Sequence, residues 1–321
     1  MKNNYPSNQR GFLLNPYRFI SGYRYKQINL AGSAGAGTNY QVLLKVGESP
    51  GSVAANFYFD TATNNFPSAK NNIGDVQFTS MAGIPLNNWV EQVTGTTPNR
   101  VAWIWVNVTA DLSTNQSILC TYKNTSAVLP SNGNNTFILF DDFDSGTLDI
   151  SKWALTGTAS ITFASSVMTV TGNNSYTTIV TAANLPDSTE VVTNKSPAGT
   201  ANGYVGDLGL QTKGLFINPW DNLYSQFWYY VGGTTTTKIS LDARYQDAFC
   251  RIQVGSDLGA IRVAINSAIK ASATNVGTGA SPAWIVNLYE SGTMEKLDWV
   301  AFKKYKQIEP IFSSAGPEQG G

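Results

Sequence analysis

The stretch Phe137-Ile-Leu-Phe-Asp-Asp-Phe-Asp-Ser-Gly-Thr-Leu-Asp-Ile-Ser-Lys-Trp153 decides how this chain is divided and folded. Apolar residues open the stretch, carboxylates crowd its middle and a tryptophan closes it. A second stretch, Lys296-Leu-Asp-Trp-Val-Ala-Phe-Lys-Lys-Tyr305, has a similar mixture near the C-terminal end. Short runs of this kind are typical of β-strands with a buried face. The two stretches predict the first and last strands of one β-domain, residues 137–308.

Strand-like runs separated by Gly, Pro and Asn clusters fill the remainder of the chain, and no long helical pattern occurs. They predict an all-β fold of two β-sandwich (jelly-roll) domains. A polar turn, Pro130 to Asn135, marks the boundary between them. The predicted order is an extended N-terminal arm (1–24), a first sandwich (25–136), a second sandwich (137–308) and a flexible tail (309–321). The first sandwich contains six runs: 23–30, 40–46, 76–78, 89–93, 101–108 and 117–122.

Composition excludes several classes of function. The 321 residues include 21 basic and 21 acidic side chains, so the chain lacks the basic surplus that nucleic-acid binding needs. The absence of histidine excludes imidazole bases and His-based catalytic triads. Cys120 and Cys250 fall in different halves and are predicted to be buried free thiols. No apolar run approaches the ~20 residues of a membrane span, so no membrane span is expected.

Four landmarks in the first half carry a family resemblance: Gly74-Asp-Val-Gln-Phe-Thr79, Trp89-Val-Glu91, Ala102-Trp-Ile-Trp-Val106 and Thr121-Tyr-Lys-Asn124. In this order they resemble a domain of unknown function, DUF2341, that precedes concanavalin A-like modules in bacterial, archaeal and phage surface proteins. The family usually has Tyr-Tyr-Gly-Asn at the last landmark, where this chain has Lys123 in place of glycine.

The stretches 137–153 and 296–305 resemble the first and last strands of concanavalin A-like sandwiches, the fold of many lectins and glucanases. The resemblance implies sugar binding or surface attachment. Phe12-Leu-Leu-Asn-Pro-Tyr-Arg-Phe19 is similar to N-terminal segments of structural proteins in tailed bacteriophages. The alternative for this segment is an apolar strap that packs on the first domain.

Catalysis is not expected from the carboxylates. Glucanases of this fold place a nucleophile and a general acid on one strand in a Glu-x-Asp-x-x-Glu pattern. The chain has seven glutamates, and none stands in that pattern. The sequence therefore predicts a protein that is not an enzyme.

A structural calcium ion is the cofactor that the acidic residues suggest. In related sandwiches an Asp of the last strand supports calcium, which makes Asp298 the first candidate, with Lys296 as an alternative partner for its carboxylate. Asp141, Asp142 and Asp144 are a second candidate set, because calcium takes clustered oxygen ligands. The alternative is that they end a strand and form a turn.

Aromatic side chains that stack on sugar rings are the candidates for carbohydrate binding. Trp220 lies in a polar turn, and aromatic residues alternate along the strand-like run that follows it. This face could be a sugar-binding groove or an inter-sheet core. The candidate residues are Trp220, Asp221, Asn222, Tyr224, Trp228 and Tyr230.

Together these features predict a non-enzymatic virion structural, decoration or tail-associated protein with a lectin-like domain. The N-terminus has no apolar signal segment, which favours either a removed signal or release on a virion. The expected partners are other virion proteins, contacted through the arm and the first domain, and a host surface glycan, in a multimeric assembly. The alternatives are a secreted cell-surface glycan-binding module and a purely structural capsid-stabilising or spacer protein.

Overall fold

The computed structural model describes residues 23–63, 65–123, 130–198, 209–210, 215–218, 225–231, 234–241, 250–273, 279–288 and 291–320. Nearly all of the predicted N-terminal arm lies outside these ranges. Within them the chain forms strands and one four-residue helix, which confirms the all-β prediction. None of the described helices is long and apolar enough to cross a membrane.

The elements follow one another in three groups along the chain. The first group contains β1 (Arg24–Ala31), β2 (Tyr40–Gly47), β3 (Phe57–Tyr58), β4 (Gln77–Ser80), β5 (Asn88–Thr94), β6 (Val101–Val108), β7 (Gln116–Tyr122) and the helix α1 (Gly133–Thr136). The second contains β8 (Leu139–Asp141), β9 (Trp153–Thr156), β10 (Ser160–Ala164), β11 (Val167–Thr171), β12 (Thr177–Thr181), β13 (Thr189–Ala198), β14 (Gly209–Leu210), β15 (Leu215–Asn218), β16 (Ser225–Val231), β17 (Thr234–Leu241), β18 (Cys250–Asp257), β19 (Ala260–Ile265), β20 (Ala268–Ala273), β21 (Ala283–Leu288) and β22 (Met294–Lys304). The third contains β23 (Ile311–Ala315) and β24 (Gln319–Gly320).

The first domain is a sandwich of two sheets, with strand orders β23-β1-β7-β4 and β3-β2-β6-β5. Alternate residues of each sheet point inward, and Ile28, Phe78, Leu44 and Ile104 meet in one apolar core. The six runs predicted from sequence all form strands of this sandwich. Cys120 is a buried free thiol in the same core, as predicted.

The segment 309–321 differs from the flexible tail inferred from its Pro and Gly content. Its strands β23 and β24 both pair antiparallel with β1. Phe312 stacks on Phe57 with ring centroids 6.0 Å apart, which places an apolar anchor at the edge of the first core. The first sandwich is therefore built from both ends of the described chain, and the second domain is inserted between them.

The second domain has a large sheet of order β10-β11-β22-β13-β18-β19-β20, with β8 paired to β22. A four-stranded sheet of order β14-β21-β12-β9 packs on one face of it. A further three-stranded sheet has the order β15-β16-β17. Large apolar side chains of the two facing sheets, including Trp153, Ile179, Val300 and Phe302, form the core. We call the large sheet the inner sheet and the four-stranded sheet the outer sheet.

Lys123, which replaces the glycine of the family landmark, has a φ of 63°. This left-handed conformation is the one that glycine adopts without strain. The backbone at Lys123 is therefore one that a glycine would also adopt, and Lys123 N donates to Asp75 Oδ2 over 3.1 Å.

Candidate functional site

The two domains share an aromatic core. Trp89 of β5 contacts Phe140 and Trp299 edge to face, with ring centroids 4.8 and 5.1 Å apart. Trp105 and Phe137 extend the cluster, and all five residues are buried. Edge-to-face aromatic pairs are favourable beyond the area they bury. The first domain therefore covers the face of the inner sheet that the outer sheet leaves open.

A β-bulge in β22 sets the direction of the tryptophan in this core. Asn194 of β13 pairs with Trp299 while Lys195 pairs with Leu297, so Asp298 is an extra residue without a partner across the ladder. A bulge shifts the alternation of side chains by one position. Leu297 consequently faces the core of the second domain, and Trp299 faces the first domain.

Asp298, the first calcium candidate, is engaged by protein groups. Its Oδ1 accepts a charge-assisted hydrogen bond from Lys70 Nζ at 2.6 Å, and its Oδ2 accepts one from Asn194 Nδ2 at 3.1 Å. The partner is Lys70 of the first domain rather than the Lys296 considered from sequence. Because an ammonium already balances this carboxylate, Asp298 does not fit a calcium site and instead ties the two domains together.

The other acidic candidates, Asp141, Asp142 and Asp144, have different surroundings. Asp141 Oδ2 accepts from the indole Nε1 of Trp153 at 2.7 Å, and its Oδ1 accepts from the backbone N of Phe143 at 3.0 Å. Asp142 accepts from Asn71 of the first domain at 3.0 Å, and Asp144 is exposed. Among the described residues, no three acidic or cysteine side chains converge on a metal position. Calcium at these carboxylates remains a prediction.

A buried ion pair crosses the junction beside the aromatic core. Arg251 of β18 donates from Nε to Glu91 Oε1 at 2.6 Å, and Trp105 Nε1 donates to Glu91 Oε2 at 2.8 Å. The guanidinium also lies over the rings of Trp103 and Trp105, with centroids less than 6 Å away. A cleft of about 440 Å³ opens at this point between the domains. Its charged groups are paired with one another, so their arrangement favours a role in domain docking.

A second buried charge cluster joins the inner sheet to the C-terminal segment. Glu190 accepts from Arg262 at 2.8 Å and lies 2.9 Å from Lys303 Nζ, while Glu309 bonds both cations. Burial alone would raise the pKa of Glu190, but the charges of Lys303 and Arg262 outweigh it and hold that pKa below its ordinary value. Burial alone would lower the pKa of Lys303, but the carboxylates of Glu190 and Glu309 outweigh it and raise that pKa above its ordinary value. Both groups are therefore charged around neutral pH.

The residues predicted to bind sugar lie mostly outside the described ranges. This holds for Trp220, Asp221, Asn222 and Tyr224. Trp228 and Tyr230 are within β16, where Trp228 pairs with Phe216 of β15 and Lys238 of β17. Their role in carbohydrate binding remains a prediction.

The outer sheet presents a tryptophan and an amide that the sequence analysis did not select. In β21, Ile285, Val286 and Leu288 belong to the core, whereas Trp284 and Asn287 are half-buried on the opposite face. The register places Trp284 beside Val180 of β12 and Gly209 of β14. Since glycine has no side chain, Gly209 contributes only backbone to this pair.

A second row of polar side chains lies next to Trp284 on the same face. Asn287 pairs with Thr178 of β12, and Thr178 pairs with Thr156 of β9. An aromatic ring next to amide and hydroxyl groups can stack on a sugar ring and bond its hydroxyls. Sequence alternation alone could not find this face. A bulge at Ile285 puts Trp284 and Val286, which are two residues apart, on opposite faces.

A family model described as a domain of unknown function (DUF2341) matches residues 72–156. The match begins inside the first sandwich, crosses the predicted boundary at 136 and ends in β9 of the second domain. It thus includes four of the five aromatic residues of the junction named above, with Trp299 outside it. No curated protein matches the chain significantly.

Solved structures similar to this fold include enzymes and a lectin-type domain. The β-glucanase of Bacillus licheniformis is 12% identical, with 52% of this chain and 97% of the glucanase covered at a TM-score of 0.44. The endo-β-1,3-glucanase of Pyrococcus furiosus is 10% identical, with 56% and 95% covered at 0.43. The carbohydrate recognition domain of Emp47p is 13% identical, with 52% and 94% covered at 0.42. The likeness concerns the jelly-roll fold.

The prediction that the chain is not an enzyme is contradicted by this comparison, because many of the similar structures are endo-glucanases. The prediction excluded hydrolysis from the absence of one strand motif. That inference was too narrow, since hydrolysis requires two carboxylates at a suitable separation and does not require them on a single strand. On the described outer face of β9, β12 and β21 the side chains are Ala154, Thr156, Thr178, Val180, Trp284 and Asn287.

Proposed function

We propose that this chain recognises carbohydrate through the outer face of its outer sheet, with Trp284 as the stacking platform. The observation that carries the proposal is the aromatic core at the junction. Because the first domain covers one face of the inner sheet and the outer sheet covers the other, the remaining face of this sandwich is the outer face of the outer sheet. The fold likeness to glucanases and to a carbohydrate recognition domain is compatible with this function.

We further propose that the protein acts on a virion surface, with the first domain and the residues before it as the mount. The similarity of Phe12 to Phe19 to N-terminal segments of phage structural proteins supports this location. The alternative is a secreted glycan-binding protein on a cell surface. Immunogold labelling of purified virions would decide between them, because a secreted protein would label cell surfaces and leave virions unlabelled.

Binding of oligosaccharides tests the recognition proposal. A glycan array followed by calorimetry on the best ligand should give saturable binding, and Trp284→Ala should weaken it by at least about tenfold, as expected for loss of a central tryptophan contact. Leu155→Ala is the matched control, since Leu155 is an exposed apolar residue of β9 whose neighbours Ala154 and Thr156 lie on the binding face. Equal affinities for the two variants would refute the assignment of the site.

The same oligosaccharides should be assayed for new reducing ends. Release that is lost in Trp284→Ala would assign hydrolysis to this face as well. Binding without release would assign recognition to it, with hydrolysis of those substrates absent.

A further inference from the structure

The C-terminal segment 311–320 is held by the first domain in the way that a receptor holds a peptide. Its strands β23 and β24 add to the edge of β1, and β23 pairs with β1 alone among the described strands. Addition of a strand to a sheet edge is a common mode of peptide recognition, in which pockets for side chains supply specificity. The segment fills three such pockets.

The first pocket binds the carboxylate of Glu318. Its Oε2 accepts from the backbone N of Asp60 at 3.0 Å and of Thr61 at 2.8 Å, and from the hydroxyl of Tyr122. Its Oε1 accepts from Thr61 Oγ1 at 2.5 Å and lies 3.4 Å from Arg24 Nε. Consecutive backbone N–H groups that converge on one oxygen form an anion-binding concavity.

Charge and burial agree with a dedicated carboxylate site. The side chain of Glu318 is 11% exposed. Burial raises the pKa of Glu318, but hydrogen bonds from Thr61 and Tyr122 outweigh it and bring that pKa below its ordinary value. The site therefore holds the ionised form, as a receptor for an acidic group would.

The other two pockets recognise an aromatic ring and a glycine. Phe312 stacks on Phe57 at the edge of the first core. Gly320 has a φ of 144°, and a Cβ built there would lie 2.0 Å from the carbonyl oxygen of Tyr23. The first domain thus contacts a phenylalanine, an acidic residue and a glycine along one extended segment.

The segment is joined to the second domain by a short connection whose middle residues, Gln307 and Ile308, are exposed. It forms the edge of its sheet, so it can leave without breaking any other strand pair. Exchange of such an edge segment between identical chains preserves its contacts and is a low-cost route to oligomers. We propose that the first domain is a strand-acceptor site for an extended peptide with an acidic anchor, and that it accepts the segment 311–320 of a second copy of this chain.

A labelled peptide of residues 310–320 tests the site by fluorescence anisotropy on the full-length chain. Glu318→Gln in the chain weakens its own segment, so this variant should bind the peptide at least about tenfold more tightly than the unaltered chain, which follows from losing hydrogen bonds to a charged group. Gly320→Ala in the chain gives a second acceptor protein, because this substitution weakens the binding of the chain's own segment at a different pocket. Peptides carrying Glu318→Gln or Gly320→Ala should each bind the Glu318→Gln chain at least about tenfold more weakly than the unaltered peptide.

Exchange between copies is tested by mixing two full-length variants. Tyr122→Phe keeps the buried ring but removes a donor to Glu318, so this chain holds its own intact segment less firmly. An equimolar mixture with the Glu318→Gln chain should contain a dimer in sedimentation velocity that neither variant forms alone. The site is refuted if neither acceptor chain binds the peptide, or if altered and unaltered peptides bind equally. Peptide binding without the mixed dimer would refute the second copy as the occupant.

Discussion

Trp299→Ala should uncouple the unfolding of the two domains. Trp299 is 2% exposed and contacts Trp89 across the junction. A buried tryptophan removes about 200 Å² from water, which at ~25 cal/mol per Å² corresponds to about 5 kcal/mol, and measured Trp→Ala changes in cores cost about 3–5 kcal/mol. Because the lost contacts lie between the domains, the loss should fall on their coupling. Unfolding in urea should change from one cooperative transition to two.

The assay follows unfolding by tryptophan fluorescence and by far-ultraviolet circular dichroism. Trp153→Ala is the matched control, since Trp153 is 1% exposed but belongs to the second domain's own core. It should destabilise by a similar amount, about 3–5 kcal/mol, through the second domain itself. A Trp299→Ala protein that unfolds in one transition, with a loss below about 1 kcal/mol against the usual range for a core tryptophan, would refute the interdomain assignment.

Three further outcomes follow from the charged groups. Arg251→Met should cost about 3–5 kcal/mol by leaving Glu91 buried without its cation, and adding Glu91→Gln should restore most of the loss in denaturant titrations. Glu190 and Glu318 have pKa values below, and Lys303 one above, the ordinary values; the melting temperature should therefore be highest between about pH 5 and 10, fall as acid protonates the carboxylates and fall again as base deprotonates the lysine. A flat profile down to about pH 2, well below the ordinary carboxyl pKa, would contradict the first part. Any change in melting temperature on adding millimolar calcium should be the same in Asp298→Asn as in the unaltered chain, because Lys70 already balances Asp298; a calcium shift that Asp298→Asn abolishes would contradict this.

Strand content and the two β-domains could be predicted from sequence because short apolar runs and turn residues are local signals. The direction of side chains could not, wherever a bulge intervenes. In β22 and β21 an extra residue shifts the alternation, and this turns Trp299 toward the first domain and Trp284 toward the outer face of its sheet. Contacts between residues far apart in sequence could not be predicted either. Nothing local marks Glu318 as a partner of Thr61, or Lys70 as the partner of Asp298.

The stretch 137–153 shows the same difference between local signals, which the sequence carries, and long-range partners, which it does not. Its apolar residues predict a strand, and Leu139–Asp141 form β8, yet Phe137 and Phe140 pack against tryptophans of the preceding domain. Its carboxylates suggest calcium, which remains a prediction, and the sequence did not indicate that Asp141 accepts an indole hydrogen bond from Trp153. The residue types were informative about strand and turn, while their partners depended on the docking of two sandwiches.

Insertion of the second domain into the first has a mechanical consequence. The second domain is connected to the first before residue 137 and again after residue 305, and both connections return to the same sandwich. A pull on a ligand held by the outer sheet would be divided between two covalent tethers acting in parallel. While the segment 311–320 stays paired with β1, detachment of the domain would require both tethers to extend after the aromatic junction has opened.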